Sequence, residues 1–546
     1  MANDVKAPVP AEDPPSLPPP APSGIPGVDI LQDSALNELS PLIARARATK
    51  SLVEAIRTDP QGFVVHYAKD PVLRLCGPII AILPNIVEDV DPNCQVNPLK
   101  ALGLELCILL KHSIPTFLAY MQEQSIQLAP IVSIGHLSTD FLAATTVATM
   151  VSNVTGYGVI GGLTGALDHV LDAKSPSSSF PGFWCFCTAC ILLVAIGPIA
   201  TLWSTIDRPL TLLGQSPEMI RLTALNLRLT AIGIPAFAAN EIIKRYLHCQ
   251  GSGSVYTHLN TLAATLNVVL NYVLVYGPSS VRLGFAGAPV ATAISHNFVV
   301  ILASLYILFR PRATVAEGVA ISAEMTERKK PSFVRGLGLI MFLGMGGIAR
   351  VAAASWSKDI LGFSTSILGS TSLATQAVLM ATTSTALQAP RSIGECAQRR
   401  LTVLLNAGHV NRARIAVLAT AFLTLSCLLG ICNVLLIWCH EWSKIFTGDD
   451  VVNAAVSNVL PLICLYIVAQ GIGVCVDHLL RVFQKPLVYP GLTLSADYLG
   501  GMPLGLWLAF NEGWGLYGLW VGLTASLVWS FVVALIVLVR CDWPSA

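Results

Sequence analysis

This chain is short of charge. Asp, Glu, Lys and Arg make up 12% of its 546 residues, where a soluble globular protein carries about a quarter. The few charges also have no dominant sign, since 33 Lys and Arg stand against 32 Asp and Glu for a net +1, and no nucleic-acid partner is expected. Chemistry-bearing patterns are missing as well. There is no nucleophile elbow, no zinc-ligand spacing and no phosphate-cradling loop, so neither an enzyme nor a bound metal or cofactor is expected. The 14 cysteines lie mostly inside apolar runs. Cys185, Cys187 and Cys190 spell C-F-C-T-A-C, but no second His or Cys cluster completes a site, and they read as packing residues. Met1 to Lys6 are not followed by an apolar stretch, so no cleaved signal peptide is expected.

What the chain has instead is apolar length. It is 53% hydrophobic, with a mean hydropathy of +0.65. The charges cluster between runs long enough to cross a bilayer, which takes about 20 residues. Backbone groups in hydrocarbon must be satisfied within a helix or a closed barrel, and unbroken Leu-, Ala- and Val-rich runs fit helices rather than alternating barrel strands. The expectation is an all-α membrane protein of about twelve transmembrane helices, at roughly 106–134, 140–165, 182–205, 217–247, 255–276, 284–309, 333–357, 371–398, 414–439, 451–480, 487–510 and 516–541. Residues 1–27 form a Pro-rich tract expected to be disordered. Residues 28–100 read as a cytoplasmic extension, 101–309 as a first lobe, 310–332 as a cytoplasmic linker, 333–541 as a second lobe and 542–546 as a tail. The sequon at Asn153 falls inside a span and is expected to be unglycosylated.

The loops suggest an orientation. Lys174, Lys244, Arg245, Arg310, Arg312, Arg328, Lys329, Lys330, Arg399, Arg400, Arg412, Arg414, Arg481 and Lys485 all follow even-numbered spans, which places both termini in the cytoplasm. The halves also repeat. Leu142-Ala143 with Val147 matches Leu373-Ala374 with Val378, and Gly284-Phe285-Ala286-Gly287 matches Gly515-Leu516-Tyr517-Gly518, each at an offset of 231 (373 − 142 and 515 − 284). Six spans per copy leave the copies in the same orientation, so the repeat is parallel. Such a pair of bundles around a midplane cavity is a transporter arrangement.

Specific segments then resemble a family. Gly135-His136-Leu137 through Asn153-Val154-Thr155-Gly156 to Ala166-Leu167-Asp168 is similar to the multidrug and toxic compound extrusion (MATE) family in its eukaryotic branch. So are Leu213-Gly214-Gln215-Ser216-Pro217-Glu218, Lys244-Arg245-Tyr246-Leu247 with Gln250-Gly251, Met502-Pro503-Leu504-Gly505-Leu506 and Gly518-Leu519-Trp520-Val521-Gly522-Leu523. The resemblance implies two six-helix lobes around a cavity, with export of small organic, often cationic, molecules in exchange for H⁺ or Na⁺. It further implies a monomer in contact with lipid, in a vacuolar or plasma membrane. The departures bear on coupling. The turn that usually follows Leu-Asp in span 2 is absent after Asp168, and Arg391-Ser392-Ile393-Gly394-Glu395 replaces a small-residue stretch in span 8. The family's paired acids of span 7 fall on Ala354 and Asp359, and its acid of span 10 falls on Gln470.

A carboxylate placed in low dielectric holds its proton to a higher pH, and the cost of putting it there makes each intramembrane acid a functional candidate. Glu123, with Tyr120 one turn away, and Asn153 are cavity candidates in the first half. Glu241 reads either as a site or as the partner of Lys244 at i+3. Asp359, beside Lys358, reads either as the coupling acid or as a helix-end charge. Gln470 and Asp477 lie two turns apart on one face, so that Asp477 is placed to take over the missing acid's role. Arg391 and Glu395 at i, i+4 read as an intramembrane ion pair. Arg350, mid-span, reads either as a partner for one of these acids or as a selector of anions. The leading expectation is a proton-coupled antiporter. The rivals are a relative that no longer transports, and a lipid or lipid-linked oligosaccharide flippase.

Overall fold

The computed structural model describes residues 98–171, 180–212, 214–309, 332–485 and 487–540. The expected Pro-rich tract and C-terminal tail lie outside these residues, as do the N-terminal extension up to residue 97 and the central linker up to residue 331, while residues 98–100 of the extension begin α1. The described chain forms helices throughout. In order, these are α1 (Pro98–Gly135), α2 (Thr139–Ser152, continued by Asn153–Tyr157 and Gly158–Thr164), α3 (Pro181–Ser204), α4 (Pro217–Cys249), α5 (Gly253–Tyr276) and α6 (Gly287–Phe309). The second half contains α7 (Phe333–Val351, continued by Ala352–Trp356 and Ser357–Ser364), α8 (Ser370–Ala386 and Gln388–Asn406), α9 (Val410–Ile437), α10 (Asp450–Val482), α11 (Val488–Ala496, continued through Asp497–Gly501 and Met502–Leu506 to Trp507–Asn511) and α12 (Gly515–Val539).

Among the described residues, nine helices are long and apolar enough to cross a membrane by length and composition. The other three, α2, α8 and α11, are interrupted. α2 and α11 widen into π-turns at Asn153–Tyr157, Asp497–Gly501 and Trp507–Asn511. α8 breaks at Leu387 and carries Arg391, Glu395, Arg399 and Arg400 in its second segment. α7 has a π-turn as well, at Ala352–Trp356. A π-turn inserts one residue into the i→i−4 ladder and leaves local backbone groups re-aimed, which is why such turns gather at functional sites. Large side chains such as Leu193, Val194, Phe422, Trp529 and Val532 are exposed, as expected of a belt facing lipid rather than water.

The two halves are laced together by the first helix of each. Leu109 of α1 packs with Ala397, Leu401, Ala413 and Ala416 of α8 and α9, and Leu128, Ile131 and Val132 pack against the core of the second half. In exchange, Ile340 of α7 belongs to the core of the first half, with Leu163 and Cys187. Glycine allows the α2–α7 crossing. A Cβ on Gly347 would stand 2.1 Å from the Gly162 carbonyl oxygen, and one on Gly162 would stand 2.6 Å from Ile348 Cα. α1 is further held by Glu105, which is 0% exposed. Its carboxylate accepts from Arg400 Nε and Nη2, both at 2.9 Å, and from Arg412 Nε at 2.7 Å.

Two outcomes follow from this packing. Gly347→Val is expected to destabilise the detergent-solubilised protein by about 1–3 kcal/mol through backbone displacement, while Gly338→Ala, with nothing within 4 Å, leaves the melting temperature in place. Glu105→Gln strips the carboxylate from two partly buried guanidinium groups and is expected to cost about 3–5 kcal/mol. Unchanged melting of both Gly347→Val and Glu105→Gln would contradict the crossing described.

Candidate functional site

Among the described residues, two cavities inside the bundle bear on the candidate residues. The larger, of about 660 Å³, is enclosed by α1, α2, α4, α7, α8, α10, α11 and α12. The smaller, of about 160 Å³, sits within α1, α2, α4, α5 and α6 and includes Pro130, Phe237 and His296 in its wall. Glu123 and Gln127 line both. Tyr120, Arg350, Arg391, Gln470 and Asp477 face the larger cavity, and Asn153 and Glu241 face the smaller one. Asp359 lines neither. It is 3% exposed and accepts from Asn153 Nδ2 in the π-turn of α2 at 3.5 Å, from a position three residues past the π-turn of α7. It is therefore an interior residue of a helix that runs on for five more residues, rather than a helix-end charge.

Two expected pairings are replaced by others. Lys244 does not take Glu241. It reaches Glu123 of α1 at 2.7 Å, and Glu241 is taken by Arg245 at i+4 and 2.5 Å. Arg245 also pairs with Asp168 at 3.1 Å. The Arg391–Glu395 pair is likewise not formed, because Glu395 receives the Tyr120 hydroxyl and the Arg399 guanidinium. The reason is helix polarity. An acid preceding a base at i, i+4 is the better-oriented order, and Glu395–Arg399 has it while Arg391–Glu395 does not. Arg391 is left over the Tyr120 ring, 6.0 Å from its centre. Asp477 follows the same rule with Arg481. Gln470 accepts from the Tyr466 hydroxyl at 3.1 Å.

Several residues of the site were not singled out from the sequence. Asp497, in the π-turn of α11, accepts from Ser357 Oγ at 2.7 Å and Ser526 Oγ at 2.6 Å, which ties α7, α11 and α12 together beside the large cavity. Lys358 lines that cavity too. The rule that selects intramembrane acids would have found Asp497, an acid inside an expected span. Gln124 and Gln388, joined at 3.0 Å across α1 and α8, carry no comparable signal, because amides are common on helix faces.

At the end of the bundle marked by the start of α10, the two halves touch. A ring nitrogen of His136 lies 3.1 Å from the Ile445 carbonyl oxygen, Thr139 Oγ1 donates to Asp449 Oδ2 at 2.6 Å, and Gln215 Nε2 donates to Ser366 Oγ at 2.9 Å. A Cβ on Gly135 would stand 2.1 Å from the Phe446 carbonyl oxygen. The lining of the large cavity extends the other way, to Lys244, Arg245 and Arg481 near the ends of α4 and α10.

A membrane-spanning bundle of two matched halves, closed over a polar cavity at one end, defines the class as membrane transport protein. The MatE family model matches this chain twice, over residues 115–273 and 347–507, and the two starts are 232 residues apart (347 − 115), one residue from the repeat offset in the sequence. The chain belongs to the MatE family of transporters. It is 28% identical over 443 residues to an uncharacterized transporter of Schizosaccharomyces pombe, covering 80% of this chain and 81% of that one. It is 26% identical to multidrug and toxin extrusion protein 1 of Xenopus tropicalis, covering 80% and 75%. Its fold is similar to that of the eukaryotic MATE transporter AtDTX14, with a TM-score of 0.66 at 22% identity over 81% of this chain and 97% of that one.

The Thr139–Asp449 contact gives the closed end a pH response. The Thr139 hydroxyl, helped by the backbone amides of Val451 and Val452, holds the Asp449 carboxyl below the usual carboxylate range. A group with a depressed folded pKa stabilises above its unfolded value, about 3.9 for Asp, and loses that contribution as pH falls through the folded value. Hydrogen exchange of the amides of residues 137–142 is therefore expected to be flat from pH 8 to 5, once corrected for intrinsic rates, and to accelerate below about pH 4. Asp449→Ala, which also removes the cap of α10 at a cost of about 1 kcal/mol, should show the faster exchange already at neutral pH. Protection that survives in Asp449→Ala would mean that this contact does not hold the end shut.

Proposed function

We propose that the chain is a secondary active transporter that exports small organic molecules by antiport with protons, alternating access to the large cavity from the two membrane faces. The observation that carries this reading is the Asn153–Asp359 contact, where a buried carboxylate of the second half, three residues past the π-turn of α7, meets an amide donor in the π-turn of α2. Ionised, Asp359 accepts that donor and offers charge to its neighbour Lys358, which faces the cavity. Protonated, it loses the charge that serves both, so one proton would alter the contact between the halves and the field in the cavity together. A proton can bias two conformations only by binding them differently, and a carboxylate at the moving interface meets that requirement.

The closed contacts at His136, Thr139 and Gln215, with the cavity running toward Lys244 and Arg481, support an inward-facing state if the even-numbered helix ends are cytoplasmic. The Lys and Arg that follow those ends favour that orientation, with vacuolar or plasma membrane as the setting. The Xenopus relative's name speaks of multidrug and toxin extrusion, which agrees with an organic substrate. Glu123, already satisfied by Lys244, is assigned to holding α1 against α4 rather than to coupling.

Proteoliposomes carrying the purified chain and an imposed pH gradient test this. Asp359→Asn is expected to bring gradient-driven movement of a fluorescent organic solute down to the protein-free rate, with the protein folded and monodisperse. Glu123→Gln should keep a pH-gradient response. Full coupling in Asp359→Asn would remove Asp359 from the mechanism, and loss in Glu123→Gln alone would transfer the role to Glu123.

A further inference from the structure

The charges on the wall of the large cavity do not balance. Six cationic side chains line it, Lys244, Arg245, Arg350, Lys358, Arg391 and Arg481, against three carboxylates, Glu123, Asp477 and Asp497. Pairing sharpens the imbalance. Glu123 is taken by Lys244 and Asp477 by Arg481, while Arg245 is satisfied from outside the lining by Glu241 and Asp168. Asp497 is occupied by two serine hydroxyls. Among the described residues, Arg350, Lys358 and Arg391 enter no ion pair within 4.0 Å.

Three cations with no carboxylate within 4.0 Å therefore converge on one space from α7 and α8. Charges within a bilayer are expensive, and they are normally paired or placed where they act on a substrate. A cationic solute entering here would meet like charge at short range in poorly screened surroundings, which disfavours its binding. An anion would meet two guanidinium forks suited to bidentate carboxylate contacts and one ammonium. The volume, about 660 Å³, lies within the range of cavities that hold drug-sized ligands, roughly 300–1,000 Å³.

We infer that the large cavity receives an organic polycarboxylate, seated among Arg350, Lys358 and Arg391, rather than an organic cation. The inference rests on the reading of this cavity as the transport site and names its substrate class. Asp359 then acquires a second consequence. It lies next to Lys358 in the chain, so a proton on Asp359 would leave Lys358 without its nearest backbone neighbour's charge and strengthen the site's hold on an anion.

The test uses the full chain in proteoliposomes with two probes in parallel, carboxyfluorescein as the polyanion and ethidium as the cation. Fluorescence anisotropy in detergent measures binding of each. The expected result is gradient-driven movement of carboxyfluorescein, competed by citrate and not by tetraethylammonium, with binding that weakens as salt is raised. Lys358→Gln and Arg391→Gln should each weaken binding by about tenfold or more, the scale of one charged hydrogen bond. Arg391→Lys should recover part of that loss, which separates charge from folding, and Lys444→Gln, at the exposed end of the short helix Cys439–Lys444, should change nothing. Movement of ethidium but not carboxyfluorescein would overturn the polycarboxylate and leave the transport reading standing. Failure of folded protein to bind or move either probe would overturn both. Carboxyfluorescein bound equally by the wild type, Lys358→Gln and Arg391→Gln would overturn the assigned site.

Discussion

Hydrocarbon does not solvate charge, and the arrangement of this molecule follows from where its few charges can be accommodated. Among the described residues, ionisable groups inside the bundle take three arrangements: paired, as in Glu105 with Arg400 and Arg412, held by neutral donors, as in Asp497 with two serines, or turned into a cavity, as in Arg391. The first kind fastens α1 to the second half of the chain. The second kind fastens α7, α11 and α12 to one another. The third kind lines the candidate site. Fold and function thus draw on the same scarce set of side chains, and a substitution that moves one charge from one category to another changes packing and transport together.

The π-turns connect this electrostatic arrangement to motion. Asn153, Trp356 and Asp497 all lie in such turns, at the places where α2, α7 and α11 approach the cavities. A helix that already departs from a regular ladder bends at lower cost than a regular one. The exchanged packing of α1 and α7 ties each half to a helix of the other, and the close backbone approach of Gly162 and Gly347 makes that crossing a tight contact rather than a loose one.

Much of the architecture was legible in the chain itself. Apolar run length placed the helices to within a few residues in most cases, because crossing a bilayer sets a minimum length and leaves little choice of structure. The repeat offset and the resemblance to a family were equally plain, since both depend on local residue order. Acids inside spans could be found by the same reasoning, and Asp359 and Asp477 were, although Asp497 was passed over despite meeting the same rule.

What the chain alone did not disclose was which charge meets which. Glu241 chose Arg245 and not Lys244, Glu395 chose Arg399 and Tyr120 and not Arg391, and Lys244 reached a helix 121 residues away to find Glu123. Pairing depends on the azimuth of each side chain and on which neighbour the packing brings within about 4 Å, and neither follows from spacing along one helix. The sequence by itself determined that this is a twelve-span, two-halved membrane protein with a handful of charges it could not afford to scatter. Only the tertiary structure decided that three of the cations were left over and faced the same cavity, because an imbalance of charge is a property of a volume and not of a segment.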